Sequence, residues 1–258
     1  MTRIHPTAVV ERGAKLADDV EIGPGGYVGP DVELAAGVVL RPHACVTGRT
    51  TIGEGSRVFP FAVLGEEPQD KSFSGESTTL VVGRDTTIRE HAVIHVGTRR
   101  GGGCTRIGDD VLVMNGVHVG HDSQIGDHVI LASLCAIAGH VRIEDYAAVG
   151  GLTGIHQFAR IGESAMVAAT SAVSQDVPPF ALASGDRARL SGLNVVGLRR
   201  RGFSPETRQR IKRAYHLLFH SKLLFAAAVA RVRAEIESCP EVDRLLAFLE
   251  GSQRGFIR

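Results

Sequence analysis

No apolar run in the 258-residue chain approaches the roughly 18 residues of a membrane span, so insertion into a bilayer is not expected. Cysteine is sparse. Cys45, Cys104, Cys135 and Cys239 show no paired spacing and no CxxC, which argues against a disulfide framework or a zinc ribbon and for reduced thiols in the cytoplasm. The hydrophobic pattern begins at Ile4, so a signal peptide is not expected either. Flexible tracts are also missing. The 31 glycines recur at regular corners, as at Gly23, Gly29, Gly53, Gly108, Gly120 and Gly126, instead of clustering. Net charge is only +1, but it is unevenly placed: after Gly185 there are 15 Lys and Arg against 7 Asp and Glu, and before it 14 against 21. A solvated helical surface and a basic collar for an anionic ligand or acidic partner both fit that asymmetry.

What the chain does contain is a period of six. Aliphatic residues stand at Ile4, Val10, Leu16, Ile22, Val28, Leu34, Leu40, Val46, Ile52, Val58 and Leu64 without a miss. The beat returns at Val82, Ile88 and Ile94, slips, and then runs unbroken from Ile107 to Val173. Helices repeat near 3.6 residues and strands near 2, so a strict six predicts a mainly β fold, a hexapeptide solenoid built from short strands and corners. The fifth position of each hexad is small, as at Ala44, Ser56, Ala62, Ala92, Ser123 and Ala147, which suits a tight inward corner. Three hexads make one coil, so residues about 18 apart should stack at the strand spacing of roughly 4.8 Å.

Two polar breaks, near residues 65–81 and 98–106, read as loops ejected from the solenoid and as candidate binding elements. The repeat fails beyond Val173, and from Gly192 the pattern turns helical. Ser204 and Pro205 form a helix start, with Ile211, Tyr215, Leu218 and Phe219 on one face; a second helix is expected over about residues 226–238, and a third from Pro240. The expected division is a solenoid over 1–184 and a small α-helical part over 185–258.

His91, His95, His118, His121, His128, His140 and His156 crowd the middle of the solenoid, beside both breaks. The 18-residue rule places His121 against Gly139 and Asp122 against His140, with His156 and Gln157 one coil further on. A neutral imidazole is a competent general base and a neighbouring carboxylate can orient it, provided that His121 and Asp122 lie at a corner and not along a strand. Glycine at 139 permits close approach of a backbone N–H to a developing oxyanion. Zinc on stacked histidines is a competing chemistry, although the spacing singles out no three converging ligands. A non-catalytic scaffold is another, and it leaves the histidines, the loops and the basic tail without a common explanation.

Several segments carry a family likeness: Ile4-His5-Pro6-Thr7-Ala8, Gly116-Val117-His118-Val119-Gly120-His121-Asp122, residues 131–140, Gly154-Ile155-His156-Gln157-Phe158, Gln175-Asp176-Val177-Pro178-Pro179, Gly192-Leu193-Asn194, residues 197–204 and Arg254-Gly255-Phe256-Ile257-Arg258. In this order they resemble the acyl-ACP:UDP-N-acetylglucosamine O-acyltransferase family over nearly the whole chain. The resemblance implies a left-handed parallel β-helix, a homotrimer with sites between subunits, and the first step of lipid A synthesis. It implies an acyl carrier protein thioester as donor and UDP-N-acetylglucosamine as acceptor, with no further cofactor, no metal and no nucleic acid partner. Acylation of the 3-amino analogue of that sugar nucleotide is the nearest alternative.

Carried over residue by residue, His121 is the general base, Asp122 orients it, and the Gly139 amide stabilises the oxyanion. His95, His140, His156 and Gln157 match contacts to sugar, phosphates or acyl chain, and Asp70 matches a sugar contact in the first loop. Asn194, Arg200 and Arg201 match the nucleotide-binding segment. Three departures stand out. Ser72 occupies the place of a customary lysine, with Lys71 one position earlier, and Val196 stands where glutamate is common. Ala169 aligns with the position taken to limit acyl length and is bulkier than glycine, implying a pocket no deeper than that of the longest-chain members.

Overall fold

The structure, a computed structural model, describes residues 1–258. Two-residue strands such as Glu21–Ile22, Tyr27–Val28 and Glu33–Leu34 alternate with four-residue corners. Every third strand pairs in parallel: Arg3–Ile4 with Glu21–Ile22, Val9–Val10 with Tyr27–Val28, and Lys15–Leu16 with Glu33–Leu34. Repetition of that step produces a triangular prism with three faces of 11, 9 and 8 strands, a left-handed parallel β-helix. We call them the first, second and third faces.

The sixfold beat is the inward-facing residue of each strand. Leu40, Ile52, Leu64, Ile88, Ile107 and Leu131 are fully buried, each worth roughly 1.5–3 kcal/mol of apolar transfer. Ile4 departs from the rule at 46% exposure, because no earlier coil covers that end of the prism. The small fifth residues turn inside each corner, and where one is polar it is satisfied: Ser56 Oγ donates to the Gly83 carbonyl and accepts the Thr86 N–H. The residue just before them takes a left-handed backbone, with φ of +59° at His43 and +61° at Phe61, Asp122 and His140. Such conformations cost roughly 1–2 kcal/mol in an L-residue, offset here by the strands that each corner joins.

Stacking at 18 residues holds outside the two breaks, as in the Asp109 N–H bond to Asp127 Oδ1. Across the first break the partners Arg57 and Thr87 are 30 residues apart, because a loop leaves the second-to-third corner. The first loop covers 67–78 and the second 96–103, so both end earlier than expected. Residues Thr79–Val82 and Cys104–Ile107 are strands, paired with each other, and the first of them also with Arg49–Ile52.

Beyond Val173 the strands Ala181–Ser184 and Arg189–Leu193 form an antiparallel hairpin that prolongs the first face, and residue 184 lies at its turn. Four α-helices follow, α1 (Val195–Arg200), α2 (Pro205–Tyr215), α3 (Phe225–Glu235) and α4 (Pro240–Glu250), with a π-helical turn at His216–His220 continuing α2. Ser204 Oγ accepts the Thr207 N–H at 3.1 Å, the cap expected there, and Pro205 occupies the first turn. α3 stops three residues short of the expected Ser238, because Ile236 turns extended. The buried Tyr215 hydroxyl donates to the Pro179 carbonyl, and the Arg160 guanidinium lies 3.9 Å from the Phe248 ring centre, so the helices are seated on the end of the prism. No helix is long and apolar enough to cross a membrane. All four cysteines are free, and burial pushes the Cys135 thiol up to about 12.

Candidate active site

The histidines converge because of the corner conformation. In a flat strand His121 and Asp122 would point to opposite sides. At the second-to-third corner, the left-handed backbone of Asp122 brings its carboxylate back alongside the preceding ring. His121 Nδ1 donates to Asp122 Oδ2 at 2.8 Å, which leaves Nε2 with its lone pair in the neutral ring. The Asp122 side chain is 0% exposed and that of His121 17%. A buried carboxylate must be paired, and the second loop supplies the partners: Thr98 donates its N–H to Oδ1 at 2.9 Å and its hydroxyl to Oδ2 at 2.6 Å.

One coil on, Gly139 lies beneath the His121 ring. A Cβ there would come within 2.7 Å of Cε1 and 2.8 Å of Nε2, so glycine is required for the ring's position as well as for access to its own amide. The Gly139 N–H donates to no carbonyl of the chain. His140 meets His121 edge-on, 5.0 Å between ring centres at 89°, and stacks on Phe158 at 4.4 Å. Desolvation lowers the His140 pKa; Asp122 opposes that shift and His121 adds to it. His118 is lowered by burial first, then by the charges of His95 and His121.

Asp70 reaches the same corner from the first loop. Its carboxyl is held below the usual range by the Ser72 N–H and hydroxyl, and then by the nearby charges of His121 and Arg100. Thus Ser72 serves as a turn partner for Asp70, its N–H lying 2.9 Å from Oδ1. His95 donates Nδ1–H to the Glu67 carbonyl at 2.7 Å, and its buried Nε2 has no partner. His156 and Gln157 lie exposed on the next coil. His118 and His156 also line an open groove of about 1220 Å³ along the second face, together with Arg187, Arg189, Arg254 and Arg258.

Other expected residues lie elsewhere. Asn194 caps α1 through the Gly197 N–H and donates to the Ser164 carbonyl at 2.9 Å, on the third-to-first corner. Arg201 is on that edge too, paired with Glu163 at 2.6 Å and 3.7 Å from the Tyr146 ring centre, while Arg200 is exposed. Ala169 is exposed on the first-to-second corner. The candidate residues therefore occupy all three edges of the prism, and one chain does not bring them together. Thr98, Thr105, which accepts the Asp122 N–H at 2.8 Å, and His118 also lie at this corner and were not among the expected residues; only His118 carried a signal, as a member of the histidine cluster. His121, Asp122 and His140 each place a possible ligand atom within 4.8 Å of the others, a convergence that spacing did not single out. Both imidazoles turn Nδ1 toward the same carboxylate oxygen, at 2.8 and 3.8 Å.

Comparison with known proteins bears on the family and the fold. The family model described as Udp N-acetylglucosamine O-acyltransferase, Domain 2, matches residues 176–257, and that of the bacterial transferase hexapeptide matches 104–139. The acyl-(acyl-carrier-protein)–UDP-N-acetylglucosamine O-acyltransferase of Syntrophobacter fumaroxidans is 48% identical over 257 residues, covering 99% of this chain and 100% of the relative. Among solved structures, the UDP-N-acetylglucosamine acyltransferase of Campylobacter jejuni superposes with a TM-score of 0.94 at 42% identity, over 99% of both chains. The UDP-N-acetylglucosamine O-acyltransferase of Moraxella catarrhalis gives 0.96 at 39%, also over 99% of both. With full-length identity at this level and the same fold throughout, the chain belongs to the acyl-(acyl-carrier-protein)–UDP-N-acetylglucosamine O-acyltransferase family.

Proposed function

We propose that this chain transfers a 3-hydroxyacyl group from acyl carrier protein to the 3-hydroxyl of UDP-N-acetylglucosamine, the first step of lipid A synthesis, with His121 as general base. His121 Nε2 takes the hydroxyl proton as the oxygen attacks the thioester carbon. The carbonyl electrons move to oxygen, where the Gly139 N–H meets the developing charge. Collapse breaks the C–S bond, and the imidazolium returns its proton to the departing thiolate. Asp122 fixes the ring through Nδ1 and stabilises the imidazolium between these steps. The thioester is already an activated acyl donor, so this sequence calls on no metal or resident cofactor.

The observation that carries this reading is the 2.8 Å bond from His121 Nδ1 to a fully buried carboxylate, with the ring held over Gly139. His95, His140, His156, Gln157 and Asp70 surround that point and are read as contacts to sugar, phosphates or acyl chain. The spread of the remaining residues over other edges favours a homotrimer, in which Asn194, Arg200, Arg201 and Ala169 of one copy complete a site at the His121 corner of another. Leu134 and Leu152, 54% and 63% exposed on the same corner as Ala169, are apolar surface that a neighbouring copy would cover. Arg187, Arg189, Arg254 and Arg258 take part in no ion pair and suit an acidic carrier protein met in the cytoplasm.

His121→Ala tests the reading. Turnover of acyl carrier protein thioester should fall by about 10²–10⁴-fold or more, with the assembly and thermal unfolding unchanged. Near-parental turnover by a folded variant would rule out His121 as the base. Assaying the 3-hydroxy and 3-amino sugar nucleotides side by side decides between O- and N-acylation.

A further inference from the structure

The second ejected loop grips Asp122 from several directions. Thr98 gives both its N–H and its hydroxyl to the carboxylate, at 2.9 and 2.6 Å. The Thr98 oxygen also accepts the Gly101 N–H at 3.2 Å, so its lone pair is engaged and its proton is aimed at Oδ2. At the loop's other end Thr105, fully buried, accepts the Asp122 N–H at 2.8 Å. Gly101 has no room for a side chain, because a Cβ there would overlap the carboxylate. The loop thus does more than border the substrate space. It surrounds a buried anion with fixed donors, and that anion holds the His121 ring.

We propose that Thr98 is a positioning residue for acyl transfer: its hydroxyl fixes the Asp122 carboxylate and shares its charge, which holds the His121 ring in place and limits how strongly the carboxylate favours the imidazolium. The proposal rests on His121 acting as the base. Hydrogen bonds to a charged group are among the stronger ones. When one of three donors is withdrawn, the carboxylate offers more of its charge to the imidazole, and the imidazolium is favoured over the neutral base. Besides Asp122, the groups facing His121 are His118, His140 and Asp70, with Arg100 beside Asp70. None of them is altered by a change at Thr98.

Thr98→Val keeps the side-chain shape and deletes the donor. In the full-length enzyme, kcat should fall about 10- to 100-fold with KM for both substrates near the parental values, and the acid limb of the kcat–pH profile should move to higher pH. Thr98→Ser, which retains the hydroxyl, should restore both. If T98V does not fold, Thr98→Ala is measured against T98S in the same way. A folded T98V or T98A with parental kcat, or one that loses kcat without moving the acid limb, overturns the proposal. The two readings fail separately: active His121→Ala removes the base itself, whereas inactive His121→Ala beside an unaffected T98V removes only the role of Thr98.

Discussion

Two edges of this prism carry a histidine paired to an aspartate at almost the same distance. His121 Nδ1 lies 2.8 Å from Asp122 and His128 Nδ1 lies 2.9 Å from Asp110. Their surroundings differ sharply. Side-chain exposure is 17% and 0% in the first pair, against 40% and 69% in the second. Asp122 is held by Thr98 as well as by its histidine, whereas the Asp110 carboxylate has His128 alone. The His121 ring rests over a glycine one coil on, while the His128 ring stacks on Tyr146 at 4.4 Å. A short His–Asp distance therefore arises both within one corner and between corners one coil apart. Burial, extra donors to the anion and a glycine beneath the ring are what set the His121–Asp122 pair apart. The exposed pair is solvated and screened, and contacts of that kind contribute ~0–1 kcal/mol.

The sharpest way to break the difference is to move the ring proposed as the base without touching the pair. Gly139→Ala adds one carbon where only 2.7 Å separates it from the imidazole, and the ring must shift. Because misplacement by about 1 Å can cost on the order of 10²-fold, kcat should drop by about that much in steady-state assays, with thermal stability little changed. A smaller effect concerns pH. Burial lowers the His118 and His140 pKa values, so the folded chain binds fewer protons than the unfolded chain in the histidine range. The stability they contribute is present above the unfolded-state pKa of about 6.5 and is lost as pH falls through the lowered folded values. His118→Asn should therefore narrow the gap between denaturation midpoints measured at about pH 8 and about pH 5.5, the range over which histidine titrates. An unchanged gap would mean that burial of His118 is not felt in folding.

Most of the prism is legible in the sequence, because each inward residue must be aliphatic and each coil advances by a constant number of residues. That regularity also places His121 against Gly139, while the corner position of Asp122, a condition in the sequence, is supplied by its left-handed backbone. The repeat does not reach Thr98. Thr98 is 24 residues from Asp122 along the chain, and the shape of its loop is set by a turn at Arg99–Gly101 and not by the repeat. Nor does it tell which edge receives Asn194 and Arg201, since their place follows from the Ala181–Leu193 hairpin, where the period has ended. Ser72 was visible as a departure, but its bond to Asp70 is a property of the folded loop.

The two pairs can be set against each other in a single measurement: kcat for acyl transfer by Asp122→Asn and by Asp110→Asn, in the same assay with saturating sugar nucleotide and acyl carrier protein thioester. Loss of the buried carboxylate should lower kcat by about 10²–10⁴-fold, and loss of the exposed one should leave it within about twofold. Comparable rates for the two variants would contradict the central claim, that the buried and donor-clamped His121–Asp122 pair performs the proton transfer.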